Sequence, residues 1–173
     1  NPHLHDLSLG SGPKGQVIGV DLRWIRPLEG VQFIIGDITE DETMIRLLEM
    51  VGGKVNVVLS DMAPNITGQY SMDHARSIEL CKYAVDVCDR ILKDRGKLVM
   101  KVFMGDMFNQ LEKMLRDRFA NVRVHSPDAS RPTSAEVYVV CTNFLGKYNV
   151  QPKPLVKEPE KPQSEFLIKG TNI

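Results

Sequence analysis

The 173-residue chain has no excess of charge: 22 Lys and Arg balance 22 Asp and Glu. That balance excludes a binder driven by a global field, so any basic surface must be a local patch. Cysteine is scarce, at Cys81, Cys88 and Cys141, with no CxxC pair and no metal-ligand spacing. An odd count in a small chain argues against a disulfide framework and fits reduced, buried thiols in an intracellular protein. No apolar run approaches the roughly 20 residues that span a bilayer, and no charged-then-apolar leader opens the chain, so no membrane role is expected. His3 and His5 have no third ligand near them, and no metal site is expected. What the chain does have, 42% hydrophobic and 25% charged residues, is the polarity of one globular domain that can bury a core without staples.

Short β-branched runs alternate with helical patterns. Residues 16–21 and 31–35 read as buried parallel strands. Residues 42–51 place Met44, Ile45, Leu47, Leu48 and Val51 at helical spacing before Gly52 and Gly53, and strand 55–59 follows. Over 71–93 the positions Ile78, Cys81, Ala84, Cys88, Ile91 and Leu92 recur on one helical stripe. Strand 97–103, helix 107–119 and a last strand pair at 122–124 and 136–141 complete the series. The alternation predicts an α/β sheet with helices on both faces. Beyond Phe144, five lysines and four prolines are interleaved against Glu158, Glu160 and Glu165, a net charge of +2 with few apolar residues. We expect residues 145–173 to form an extended tail, because such a composition buries too little to offset its ordering entropy.

In a doubly wound sheet, ligands bind beyond the carboxyl ends of the strands. Three strands end on carboxylates, Asp21, Asp37 and Asp61. Each has a plain reading as a turn or cap residue, yet three in succession point to a site. A carboxylate after the second strand of a nucleotide-binding fold accepts from ribose hydroxyls, which makes Asp21 a candidate, and Asp37 is placed to accept from an adenine amine. Lys101 lies inside Val99-Met-Lys-Val-Phe103, where an ammonium needs a partner. Asp61 and Glu136 are the expected ones. A buried ion pair that only fixes the sheet is the plain alternative. Trp24 could pack beside an adenine or in a half-buried core, and His74 and His125 read as surface or core residues.

The segments Leu59-Ser-Asp-Met-Ala-Pro-Asn-Ile-Thr-Gly68, Met100-Lys-Val-Phe103 and Ser130-Arg-Pro-Thr-Ser-Ala-Glu-Val-Tyr138 resemble the FtsJ/RrmJ family of S-adenosylmethionine-dependent RNA 2′-O-ribose methyltransferases. The resemblance runs in order from about Lys14 to Phe144 and implies a Rossmann-like sheet, mostly parallel with an antiparallel last strand, over residues 14–144. It implies that Asp61, Lys101 and Glu136 are three members of a catalytic Lys-Asp-Lys-Glu tetrad. It also implies S-adenosylmethionine contacts at Asp21, Leu22, Asp37, Ile38 and Asp61, and RNA contacts at Asn65 and Arg131. The Ser-Asp-Met-Ala-Pro-Asn form is most similar to members that modify large-subunit ribosomal RNA. A monomer acting in the cytoplasm is expected, with the mitochondrion as the alternative compartment.

Residues 1–13 offer no counterpart for the family's first strand, cofactor loop or first tetrad Lys. The string Gly10-Ser-Gly-Pro-Lys-Gly15 matches GxGxxG by letter, but it follows no strand and lies six positions before Asp21, with no room for a helix between. We expect those parts to be missing from the sequence rather than lost by the protein. The rival reading is a catalytically inactive RNA-binding or ribosome-assembly module of the same fold. A nucleotide-dependent oxidoreductase rests only on the accidental glycine string. With no global field, a basic patch of Lys14, Arg23, Arg131 and Lys147 is the candidate RNA surface.

Overall fold

The computed structural model describes residues 15–126 and 136–146. The expected remnant 1–13, the GxGxxG string, Lys14, Arg131, Lys147 and nearly all of the expected tail lie outside the described residues.

Six strands and three helices follow in the order β1 (Val17–Asp21), β2 (Val31–Ile35), α1 (Asp41–Val51), β3 (Val55–Ser60), α2 (Tyr70–Ile91), β4 (Leu92–Phe103), α3 (Phe108–Arg118), β5 (Phe119–His125) and β6 (Glu136–Phe144). Each expected element is present, β2 as expected and the others with one or both ends moved. The largest shift is at β4, which begins directly on the end of α2 because residues 93–96 form a bulge against β3, with Arg95 at φ 61°. Gly52 ends α1 in the left-handed conformation, φ 58°, and donates its N–H to the Leu48 carbonyl.

The strands fall into a parallel pair β1-β2 and a four-stranded sheet of order β3-β4-β6-β5, in which only β6 runs antiparallel to its neighbours. An α/β sheet without the family's first strand was expected. In the doubly wound order 3-2-1-4-5, leaving out strand 1 yields two pieces of this kind, with β1 and β3 standing for strands 2 and 4. One apolar cluster still joins the pieces: Ile34, Met44, Leu47, Val87 and Ile91 are buried together, with Ile18, Val20, Val55 and Val58 packed against them.

The second cluster fixes where the helices lie. Leu98, Met100 and Val102 of β4 pair across to Cys141, Val139 and Val137 of β6, and all six are buried with Cys81, Ala84, Val85 and Cys88 of α2 and Phe108, Leu111 and Leu115 of α3. Strand residues alternate between faces, so both helices cover the same side. The expectation of helices on both faces is therefore met on one face only among the described residues. On the other face of β3, Leu59 is 75% exposed and Val57 45%. Under the helices, buried Asp89 of α2 receives both bonds of the Arg118 Nε group, at 2.8 and 3.0 Å, which ties α2 to the end of α3.

Candidate active site

The covered face is apolar, so the chemistry sits where alternation puts it, on the open face and at the carboxyl edge. Lys101 follows Met100 by one position and therefore points away from the helices. Its Nζ lies 2.9 Å from Oδ1 of Asp61, the first residue after β3. The lysine side chain is 13% exposed and the aspartate 74%, so the ammonium stem is sunk in the sheet while the carboxylate faces solvent. Lys101 pairs in register with Tyr138 and Phe103 with Glu136, which sets Glu136 diagonally from Lys101 on the same face, a separation that long side chains can bridge.

Asp21 and Asp37 stand at the ends of the adjacent strands β1 and β2, at one edge of the parallel pair. Both make local bonds of the turn type. Asp21 Oδ1 accepts from the Arg23 amide at 2.8 Å, and Asp37 Oδ1 accepts from the Thr39 amide and hydroxyl at 2.9 and 2.7 Å. Leu22 and Trp24 are each 67% exposed, so the core reading of Trp24 does not hold. Ile38 is half-buried and packs against the α1 cluster, while Asn65 is exposed in the loop after β3. Of the expected basic patch only Arg23 is described, and it is exposed.

The sequence reading passed over a polar cluster at the start of α2. Asp73 is buried, and its carboxylate accepts from the Thr67 amide at 2.9 and 3.1 Å, the Thr67 hydroxyl at 2.8 Å and the Gly68 amide at 3.0 Å. The Thr67 amide above all holds this carboxyl below the ordinary carboxylate value; burial opposes it, and the Thr67 hydroxyl, the Gly68 amide and the Arg76 charge assist. His74, next in sequence and also buried, donates from Nδ1 to the Phe103 carbonyl and accepts the Met107 amide at Nε2, both at 3.0 Å. Those two partners fix a neutral ring with its proton on Nδ1. Ser77 Oγ accepts the Phe103 amide at 3.3 Å, and the Tyr70 hydroxyl donates to the Met104 carbonyl at 2.7 Å. The first two turns of α2 thus hold both loops that flank the Lys101–Asp61 pair. The signal was present in the sequence: His74 lies on the same stripe as Ile78, Cys81, Val85 and Cys88, so a polar side chain on the buried stripe needed partners.

The arrangement resolves into a family. A model of the FtsJ-like methyltransferases matches residues 5–144. The chain belongs to that family. It is 51% identical over 132 residues to the ribosomal RNA large subunit methyltransferase E of Methanosarcina acetivorans, a match covering 76% of this chain and 48% of that protein. The protein of the same name from Methanococcoides burtonii is 50% identical over 132 residues, covering 76% and 49%. The chain thus spans about half the length of the curated relatives it matches. Among solved structures, a Plasmodium falciparum protein provisionally described as a ribosomal RNA methyltransferase superposes with a TM-score of 0.68 at 29% identity, over 76% of this chain and 74% of that one. The Rossmann-like methyltransferase architecture of this FtsJ-like chain follows from that likeness.

Proposed function

We propose that this FtsJ-like chain transfers a methyl group from S-adenosylmethionine to a ribose 2′-hydroxyl of RNA, with large-subunit ribosomal RNA as the substrate. The observation that carries the reading is the Lys101–Asp61 pair at 2.9 Å on the carboxyl side of β3 and β4, with Glu136 diagonal to it. The names of the Methanosarcina and Methanococcoides relatives support ribosomal RNA. The protein acts as a monomer on its RNA in this reading.

The residues at the ends of β1 and β2 suit the cofactor by their chemistry. Asp21 and Asp37 offer carboxylate oxygens at adjacent parallel strand ends, the acceptor set that ribose hydroxyls and an adenine amine require. Leu22 and Ile38 beside them supply apolar contact. S-adenosylmethionine brings an already activated methyl on a positively charged sulfur. What the chain adds is positioning, which can be worth roughly 7–11 kcal/mol at its best, and removal of the hydroxyl proton. Lys101 donates to the 2′-oxygen and holds it in line, and Asp61 fixes the direction of the ammonium. Because a lysine is ordinarily protonated at neutral pH, Lys101 takes up the hydroxyl proton only after passing one of its own to solvent. Asn65 and Arg131 contact the RNA, and Arg23 with Lys14 and Lys147 meets its phosphates.

The test is direct. Full-length protein, S-adenosylmethionine carrying a labelled methyl and ribosomal RNA should yield RNA labelled on a ribose oxygen, with RNA affinity falling linearly in log salt. Protein that binds both partners and transfers no label would leave the assembly-module reading in its place.

A further inference from the structure

We propose that Tyr70 is a stacking platform for a base of the bound RNA strand. The assignment rests on the RNA reading above and adds a residue that lies outside the segments carrying the family resemblance.

Tyr70 combines two properties that seldom coincide on a surface. It is 62% exposed, yet its ring is held at two points. The hydroxyl donates to the Met104 carbonyl at 2.7 Å, and one face stacks on His74 with ring centroids 6.3 Å apart and planes at 12°. His74 cannot turn to release it, since both of its nitrogens are bonded to backbone groups. Its ring is also backed by Gly105, where an added Cβ would come within 2.7 Å of three ring atoms. A buried, saturated imidazole therefore sets the plane of an exposed phenol. Fixing an exposed side chain costs conformational entropy, and the cost is offset when the free face is used for binding.

The position of that ring agrees with its geometry. Tyr70 opens α2 directly after the loop that begins at Asp61, and its hydroxyl reaches the loop that follows β4. Met104 is three residues beyond Lys101 on the same chain segment. The two loops that meet at Tyr70 are thus the one that begins at Asp61 and the one that leaves β4 three residues beyond Lys101. A nucleotide whose ribose meets Lys101 would lie with neighbouring bases within reach of the same carboxyl edge. The chemistry fits as well. Base stacking on an aromatic ring adds to phosphate contacts from a local basic patch, and it is favourable for every base and indifferent to sequence.

The experiment uses the full-length protein with Tyr70→Ala, Tyr70→Leu, Tyr70→Phe and Tyr70→Trp variants. The RNA probe is a short mixed-sequence single strand carrying 2-aminopurine at one position per probe, with each position tested in turn. Affinity is read by anisotropy, stacking by quenching of the 2-aminopurine, and S-adenosylmethionine binding by calorimetry on the same samples. Tyr70→Ala and Tyr70→Leu should each weaken RNA binding about tenfold to a hundredfold and remove the quench at one position, while Tyr70→Trp, which loses the tether but offers a larger ring, keeps the quench and loses less affinity than either. Tyr70→Phe, which keeps the ring and loses its tether, should fall between them. Cofactor affinity should not move in any variant. The leucine variant has similar reach without a π face, so it stands in if the alanine variant fails to fold. The proposal is overturned if folded Tyr70→Leu binds RNA as tightly as the parent. It is equally overturned if Tyr70→Phe loses as much as Tyr70→Ala, or if cofactor affinity drops together with RNA affinity. A parent protein that binds no RNA would overturn the RNA reading itself, a result distinct from all of these.

Discussion

The two pairs of strand ends are built on different principles. At β1 and β2, Asp21 and Asp37 bond to residues two positions further along the chain, Asp21 exposed and Asp37 half-buried. At β3 and β4 the contacts come from other elements: Lys101 is paired with Asp61, the far end of the Asp61 loop is held by Asp73, and the end of β4 by His74 and Ser77. The first pair can adjust to a ligand by local rotation. The second is held rigid by buried polar bonds, as expected where a reacting atom must be oriented.

Removing Lys101 should break the rigid side most severely. Lys101→Ala is expected to lower methyl transfer by roughly 10²- to 10⁴-fold while leaving S-adenosylmethionine affinity unchanged, as measured by single-turnover transfer and calorimetry. Lys101→Arg should fail as well, because a guanidinium does not give up its proton. A parent-like rate in either variant would remove Lys101 from the mechanism.

Asp73 probes the same side without touching substrate. Asp73→Asn should reduce kcat by up to about 10²-fold with little change in KM, because a loosened 61–68 loop misplaces Asp61 rather than removing it. Its stability effect carries a sign that can be checked. The Asp73 carboxyl is held below its ordinary value of 3.8, so its contribution is present above that pH and is lost as pH falls through the lower folded value. The gap in thermal midpoint between parent and Asp73→Asn should therefore stay constant from neutral pH down to about 4 and close below it. A gap that persists unchanged into stronger acid would show that the charge plays no part.

Smaller effects are expected on the adaptable side. Asp37→Ala should weaken S-adenosylmethionine about tenfold by loss of one charge-assisted bond, with a modest fall in midpoint from the lost Thr39 turn. A fall in stability without a fall in affinity would reduce Asp37 to the turn residue it also resembles. The least change belongs to the core between the two sides: burial pushes the Cys81 and Cys141 thiols up to about 12. The native protein should resist alkylation at neutral pH, with all three cysteines reacting only after unfolding.

The contrast between the two sides also explains what could be read from the sequence. An ammonium inside an apolar strand is a local anomaly, so Lys101 and its need for Asp61 were legible. The elements were legible too, because their stripes and alternations are local. Asp73 and Tyr70 were not, and of His74 only the need for partners could be read. Their partners are backbone groups of loops up to 34 residues away, and a backbone amide leaves no mark in the sequence. The placement of α2 and α3 on one face was equally hidden, since periodicity says which side of a helix is apolar and not which side of the sheet receives it.

The strand order has a consequence for synthesis. Among the described strands β6 is made last, yet it lies between β4 and β5. Until residue 144 has left the ribosome, β5 has no partner and β4 offers an open edge whose inner face carries Leu98, Met100 and Val102. At roughly 5–20 residues per second, the 41 residues from Phe103 to Phe144 keep that apolar edge unpaired for seconds in each new chain. The nascent chain must pass through this interval with the β4 edge unpaired, its backbone N–H and C=O groups open to pairing with a strand of another chain.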